Sequence, residues 1–230
     1  MDAQQTDLLD DLCRGYRLFA ALGWGDTGDG HISARDPNRT DHFWLLRYGV
    51  PFSDASIERL VLLDPGGTVV EGEGNVNSPA FRIHHPLLTA RSDLVAIAHT
   101  HTPWGTPFSA ELRPIQPITQ EACFFFEDCA MFDDEEVQIQ DMAGGERIAQ
   151  CIGKNHSIIL RNHGLVTAGT SVASAICRFV LLERVCEAHL KARKATPINS
   201  AAARYAKSDL TRPTAFDNMF QYLTKHHGVY

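Results

Sequence analysis

Val95-Ala-Ile-Ala-His99-Thr-His101-Thr-Pro103 is the stretch from which the rest of the chain can be read. A short run of apolar, strand-forming residues ends in two histidines one residue apart. In a strand, side chains i and i+2 point to the same face, so His99 and His101 are expected to present their imidazoles side by side. Neutral imidazole suits Zn, Fe, Mn or Ni. An H-x-H pair is also common among surface and hydrogen-bonded histidines, so a metal reading needs further ligands. Ser157-Ile-Ile-Leu-Arg161-Asn-His163-Gly164-Leu-Val-Thr-Ala-Gly169 offers one. It reads as a second buried strand ending in a histidine, and the glycine that follows permits a turn a β-carbon would obstruct. Two paired strands with three histidines at their ends would leave coordination positions open, as a catalytic rather than a structural metal site does.

The 230 residues are 44% hydrophobic, enough for one well-buried domain over 1–230, and no stretch has the composition of a linker between domains. A net charge of -7 and a pI near 5.8 argue against a nucleic-acid partner. No run of eighteen apolar residues occurs, so no membrane span is expected. The opening Met-Asp-Ala-Gln-Gln-Thr-Asp is the reverse of a secretory signal, and the expected location is cytoplasmic. The six cysteines lack C-x-x-C spacing and read as reduced thiols.

Leu8 to Leu22 has helical spacing and stops at Gly23. The glycine-rich segment Gly23 to Gly30 could cradle a phosphate, but it lacks a P-loop lysine and reads more simply as a tight loop. His42–Leu46 and Arg59–Leu63 read as strands, and Asp64-Pro-Gly-Gly67 as a turn into a hairpin partner at Thr68–Glu71. Pro86 is acceptable in a first helical turn, which places a helix start near Ile83–His85. Thr102–Ala110 and Gly145–Ile152 suggest short helices, and Asp133–Glu136 a solvated loop. Ser171 is placed to N-cap a long amphipathic helix through Lys191. Residues 200–230 alternate helical stretches with Pro213 and end in an aromatic tail, suited to a subunit interface or to packing on its own domain.

The ordered motifs Gly30-His-Ile-Ser-Ala-Arg35, Asn77-Ser-Pro-Ala-Phe-Arg-Ile-His84, Ala90-Arg-Ser-Asp93, His99-Thr-His-Thr102 and Arg161-Asn-His-Gly-Leu165 resemble the class II aldolase/adducin family, from about Leu8 to Lys191. The resemblance implies a three-layer α/β/α sandwich around a mainly antiparallel sheet, with a C-terminal helical tail over 200–230. It implies one divalent transition metal (Zn, Mn or Fe) on His99, His101 and His163. It further implies a homotetramer with the metal site at a subunit junction.

The chain departs from the sugar-phosphate aldolases of that family at telling positions. His31 stands where they have asparagine, Pro79 where they have a serine, and Arg47-Tyr-Gly49 at another phosphate contact. Nineteen residues before His99, where they carry a catalytic glutamate, stands Ala80. A small non-phosphorylated carboxylate is therefore the expected substrate. The expected reaction is metal-dependent carbon–carbon cleavage, by decarboxylation or in an aldolase-like way, on a hydroxy or oxo acid, aromatic acids included. Decarboxylation generates its own carbanion and needs no base, so it suits the loss of the glutamate. A non-heme Fe(II) oxygenase acting on an aromatic oxo or hydroxy acid is a second reading, and a non-catalytic adducin-like interaction module a third.

Glu121 follows a proline-spaced segment and precedes Ala-Cys-Phe-Phe-Phe126, an apolar setting that would raise a carboxyl pKa and make it a proton donor. A helix cap or arginine partner is the plainer role. His31 could touch substrate or only brace its loop, and His84, with His85, suits support of the site better than ligation. Arg47, Arg82 and Arg161 offer guanidinium forks for a carboxylate or ordinary salt bridges. Arg161, two residues before His163, is expected on the same strand face. His42, His156, His189, His226 and His227 have no constellation around them and read as surface.

Overall fold

The apolar run before His99 forms a strand near the middle of an eight-stranded sheet. The computed structural model describes residues 2–212 and 214–230, so Pro213 lies outside the described residues. In chain order the elements are α1 (Ala3–Ala21), β1 (His31–Arg35), β2 (Phe43–Leu46), β3 (Leu60–Leu63), β4 (Val69–Glu71), α2 (Ser78–Ala90), β5 (Ala96–Thr100), α3 (Gly105–Ser109), β6 (Cys129–Phe132), α4 (Met142–Ile152), β7 (Ser157–Leu160), β8 (Gly164–Gly169), α5 (Val172–Lys191), α6 (Ser200–Leu210) and α7 (Ala215–His226). The sheet order is β4-β3-β2-β1-β5-β8-β7-β6. Every pairing is antiparallel except that of β6 with β7.

Both faces of the sheet are covered, so its strands are apolar throughout and their residues divide between two cores. Leu60 and Leu62 join the core under α1 and α5, whereas Val61 and Leu63 join the core under α2 and α4. This is the three-layer α/β/α sandwich expected. Among the described residues no helix is long and apolar enough to cross a membrane. All six cysteines are free.

The start of α2 corrects the expectation drawn from Pro86. The helix begins at Ser78, with Pro79 in its first turn, and Pro86 sits inside it. A proline there leaves the carbonyl four residues earlier without its helical donor. That carbonyl, of Arg82, lies against Gly145 of α4, where any side chain would overlap it. Packing between the two helices thus tolerates what local propensity forbids.

Two polar anchors in the interior join elements distant in sequence. The Tyr16 hydroxyl donates to the Ile32 carbonyl and accepts from the Ile32 N–H (2.8 Å) and the Leu46 N–H (3.2 Å), pinning β1 and β2 to α1. Asp36, fully buried, accepts from Gln5 Nε2 and Trp44 Nε1, each at 2.7 Å.

Two histidines assigned to the surface belong to the interior. His189 is buried; its Nδ1 lies 2.8 Å from the Val185 carbonyl and its Nε2 accepts from the Gln116 N–H. His156 is half-buried and paired with Asp128. Neither partner is close in sequence except Val185, so no local signal marked these positions. In the tail, Phe216 and Phe220 pack into the chain's own core, while Tyr222 faces solvent.

Candidate metal centre

Strand register brings the imidazoles together. His31 of β1 pairs directly with His99 of β5, and Thr100 pairs with Leu165 of β8. β7 and β8 are two strands joined by a tight turn, which corrects the reading of one strand running to His163. The turn is Arg161-Asn162-His163, with Asn162 in the left-handed region (φ 54°), a conformation asparagine tolerates better than most residues. His163 therefore stands at the start of β8, beside the end of β5.

His99, His101 and His163 each offer a ring nitrogen, and these atoms lie within 4.8 Å of one another. His99 is buried, His101 exposed and His163 intermediate. His99 Nδ1 lies 2.8 Å from the Leu165 carbonyl, and His101 Nδ1 stands 3.1 Å from Asp29 Oδ2. Such partners orient an imidazole and raise its basicity toward a metal. Burial, and after it the neighbouring imidazoles, holds His99 and His31 well below the usual histidine pKa, and likewise brings His163 down to about 4. These rings are neutral at neutral pH, the form that ligates. Three converging imidazoles fit a divalent transition ion and leave positions open for substrate.

Behind His31 runs a hydrogen-bonded chain. Ser33 Oγ lies 2.7 Å from His84 Nδ1, and His84 Nε2 lies 2.8 Å from His31 Nδ1. Ser33, His31 and His99 share the sheet face covered by α2, whose His84 is fully buried. His84 is thus bonded to His31 rather than meeting solvent. Gly30 (φ 84°) makes the approach possible, because a β-carbon there would meet Thr100 and the His99 carbonyl.

A cleft of about 510 Å³ opens beside His31, lined also by Arg47, Asn77, Trp24, Phe52 and Leu46 among others. The glycine-rich loop forms one wall, and Gly25 is needed there because any side chain would overlap the Phe52 ring. Of the three candidate arginines only Arg47 lines the cleft. Arg82 is tied to the Ile139 carbonyl at 3.3 Å. Arg161 pairs with Asp133 (2.9 Å) and Glu135 (3.6 Å); it lies in the turn, so the period-two argument that put it beside His163 does not apply. Glu121 opens the 3₁₀ turn Glu121–Phe125 and is exposed, whereas Ala122 to Phe125 turn inward, so the apolar setting expected for its carboxylate is not formed. Ala80, at the position of the missing glutamate, is fully buried.

Sequence reading missed two carboxylates. Asp29, which stands 3.1 Å from His101 Nδ1, was hidden in a segment read only as a glycine loop. Glu183 of α5 is 4% exposed and holds the loop after His101: its carboxylate accepts from Thr102 Oγ1 (2.6 Å) and from the N–H groups of Trp104 (2.8 Å) and Gly105 (2.6 Å). A lone glutamate on the apolar face of a helix was the available signal.

The family model described as Class II Aldolase and Adducin N-terminal domain matches residues 10–190. The chain belongs to this family. Among curated relatives, the 4-hydroxy-3-prenylphenylpyruvate oxygenase/4-hydroxy-3-prenylbenzoate synthase of Streptomyces roseochromogenus subsp. oscitans is 38% identical over 199 residues, 84% of this chain and 72% of the relative. Decarboxylase NovR of Streptomyces niveus is 38% identical over 193 residues, 83% of this chain and 72% of the relative. Among solved structures, an L-fuculose 1-phosphate aldolase from Glaciozyma antarctica PI12 superposes with a TM-score of 0.89 at 32% identity, covering 98% of this chain and 92% of that one. This class II aldolase/adducin domain thus shares its fold with proteins named for three different reactions.

Proposed function

We propose that the protein is a metal-dependent carbon–carbon lyase that decarboxylates or cleaves, in an aldolase-like way, a non-phosphorylated hydroxy or oxo acid. The observation that carries this reading is the convergence of His99, His101 and His163 next to His31, which lines a cleft. A relative named as a decarboxylase supports the same reaction class. When bound, a divalent ion (Zn, Mn or Fe) supplies Lewis-acid polarisation of the oxygens next to the bond that breaks.

The chain's own residues supply the rest. Arg47 lines the cleft and offers a fork to the substrate carboxylate. His84 and Ser33 fix the His31 ring, leaving Nε2 as its nitrogen for a substrate oxygen. Trp24, Phe52 and Leu46 give the cleft an apolar wall suited to an aromatic body. Ala80 can take no proton, so a reaction in which carbon dioxide leaves suits the site better than one that begins with deprotonation. Glu121, exposed outside this cleft, would serve as a proton donor only to the cleft of another subunit, as in the homotetramer proposed from the family.

One observation favours a second reading, a non-heme Fe(II) oxygenase: a relative of equal identity is named as an oxygenase of a prenylated aryl pyruvate. Three imidazoles with open positions suit Fe(II) as well as Zn(II). The third reading, an adducin-like interaction module, gives no reason for three converging ligands. Metal analysis of protein purified without chelator, followed by turnover of aryl oxo and hydroxy acids under argon and under air, separates the three. We expect about one metal per chain and release of carbon dioxide or an aldehyde under argon. Turnover only in air would replace the lyase with the oxygenase, and metal-free, inactive protein would leave the interaction module.

A further inference from the structure

His163 precedes β8 and Thr170 follows it, so the six residues of the strand, at about 3.3 Å each, put their surroundings roughly 20 Å apart. At the Thr170 end lies a second pocket, of about 320 Å³, between the N-terminus of α5 and helix α6. Its lining includes Arg178, Lys207, Arg212, His156, Asp128 and Ser174. None of these residues belongs to the metal centre or its cleft.

Arg178 is 7% exposed. Its Nη1 donates to Asp128 Oδ2 at 3.1 Å, and its guanidinium carbon lies 4.9 Å from the centre of the Phe216 ring. Its Nε has no hydrogen-bond partner among the described residues. A buried guanidinium N–H without an acceptor bears the full cost of its lost hydration, and few native groups are left so.

The Asp128 carboxylate is shared and does not reach Nε. It accepts from the His156 N–H at 2.7 Å, lies 3.0 Å from His156 Nδ1, accepts from Arg178, and stands 3.8 Å from Lys207 Nζ. Arg212, at the rim, pairs with exposed Asp209. The pocket therefore sets one buried carboxylate against an arginine, a lysine, a histidine and the positive end of the twenty-residue helix α5. Its surplus is positive, although the whole chain carries -7.

We infer that this pocket binds a small oxyanion, a phosphoryl or carboxylate group on a compact organic body, with Arg178 Nε and Lys207 Nζ as donors. A charge-assisted bond to Nε would satisfy the orphan donor, and the Phe216 ring offers the ligand an apolar neighbour. The ligand would be neither substrate nor metal ligand, because the imidazoles lie at the other end of the strand.

The test is thermal unfolding and calorimetric titration of the metal-loaded protein with inorganic phosphate in one arm and succinate in the other, each against sodium chloride at equal ionic strength. At least one anion is expected to bind saturably and to raise the melting temperature by about 5 °C at a hundred times its dissociation constant. The responding arm identifies the group, and equal responses identify a general oxyanion site. Lys207→Gln is expected to weaken binding about tenfold or more. Arg178→Lys, which keeps the charge but loses Nε–H, should do the same; should it fail to fold, Lys207→Gln alone decides. The variant His163→Ala is expected to retain the response. No stabilisation beyond that of chloride, parental affinity in Lys207→Gln, or loss of the response in His163→Ala would each overturn the inference.

Discussion

At the Gly164 end of β8 the polar side chains are imidazoles, several of which burial keeps neutral; at the Gly169 end a guanidinium and a lysine amino group surround Asp128. Both ends are polar and partly buried, yet the costs of burial are met differently. Imidazole can shed its proton, so desolvation leaves a neutral donor atom ready for a metal. Arginine cannot, so its burial demands an anion, and Asp128 meets only part of that demand. The contrast means that chelators and ligand substitutions should act at the first end, and loss of the anion at the second.

The sharpest way to break this division is to remove a metal ligand. His99→Ala, His101→Ala and His163→Ala are each expected to lower metal affinity by more than about a hundredfold, since losing only an outer hydrogen-bond partner costs about 10–100-fold. Turnover should vanish with the metal while the circular dichroism spectrum stays that of the parent. Stoichiometric metal in all three variants would end the metal-centre reading.

At the other end Asp128→Ala strips a buried pair of its anion and should cost about 3–5 kcal/mol in urea unfolding, with metal content unchanged. The same pair gives the parent a pH dependence. Burial raises the Asp128 pKa, but the hydrogen bond from His156 and the charges of Arg178 and Lys207 outweigh it, and the pKa falls below the ordinary 3.8. A carboxylate depressed in the folded state stabilises above its unfolded pKa, and that contribution is lost as pH falls through the folded value. Stability of the parent should therefore drop more steeply below about pH 4 than that of Asp128→Asn. Equal slopes would show that the carboxylate is not held in its charged form.

Glu183→Gln should cost about 1–3 kcal/mol, because an amide nitrogen would face one of the three donors that the carboxylate now accepts. Metal affinity should fall with it, by about tenfold, if the loop after His101 sets the ring's position. Unchanged affinity at reduced stability would make Glu183 a fold residue only. The smallest effect is expected at Glu121. General acid–base groups contribute about 10²–10⁴-fold, so turnover of Glu121→Gln close to the parent would place it outside the chemistry. A hundredfold loss with metal bound would instead put it in a neighbouring subunit's cleft.

Most of the sheet and the three converging histidines were legible in the sequence because their signals are local. Apolar runs ending in His99-Thr-His101 and Asn162-His163-Gly164 state both strand and chemistry within a few residues, and Ser171 announces α5 through its own cap. What sequence could not supply were relations between residues far apart. Pro86 forbids a helix interior by local rule, yet α2 runs through it because Gly145 packs on the freed carbonyl. Glu121 has apolar neighbours in sequence but solvent in space, since a 3₁₀ turn sends Ala122 to Phe125 inward and the carboxylate outward. Asp29, Glu183 and the His84–His31 chain depend on register and helix packing, which bring together groups separated by tens of residues. The sequence by itself determined which atoms were available to bind a metal; tertiary structure decided which were turned toward one another, because desolvation and hydrogen-bond geometry exist only once the layers have closed.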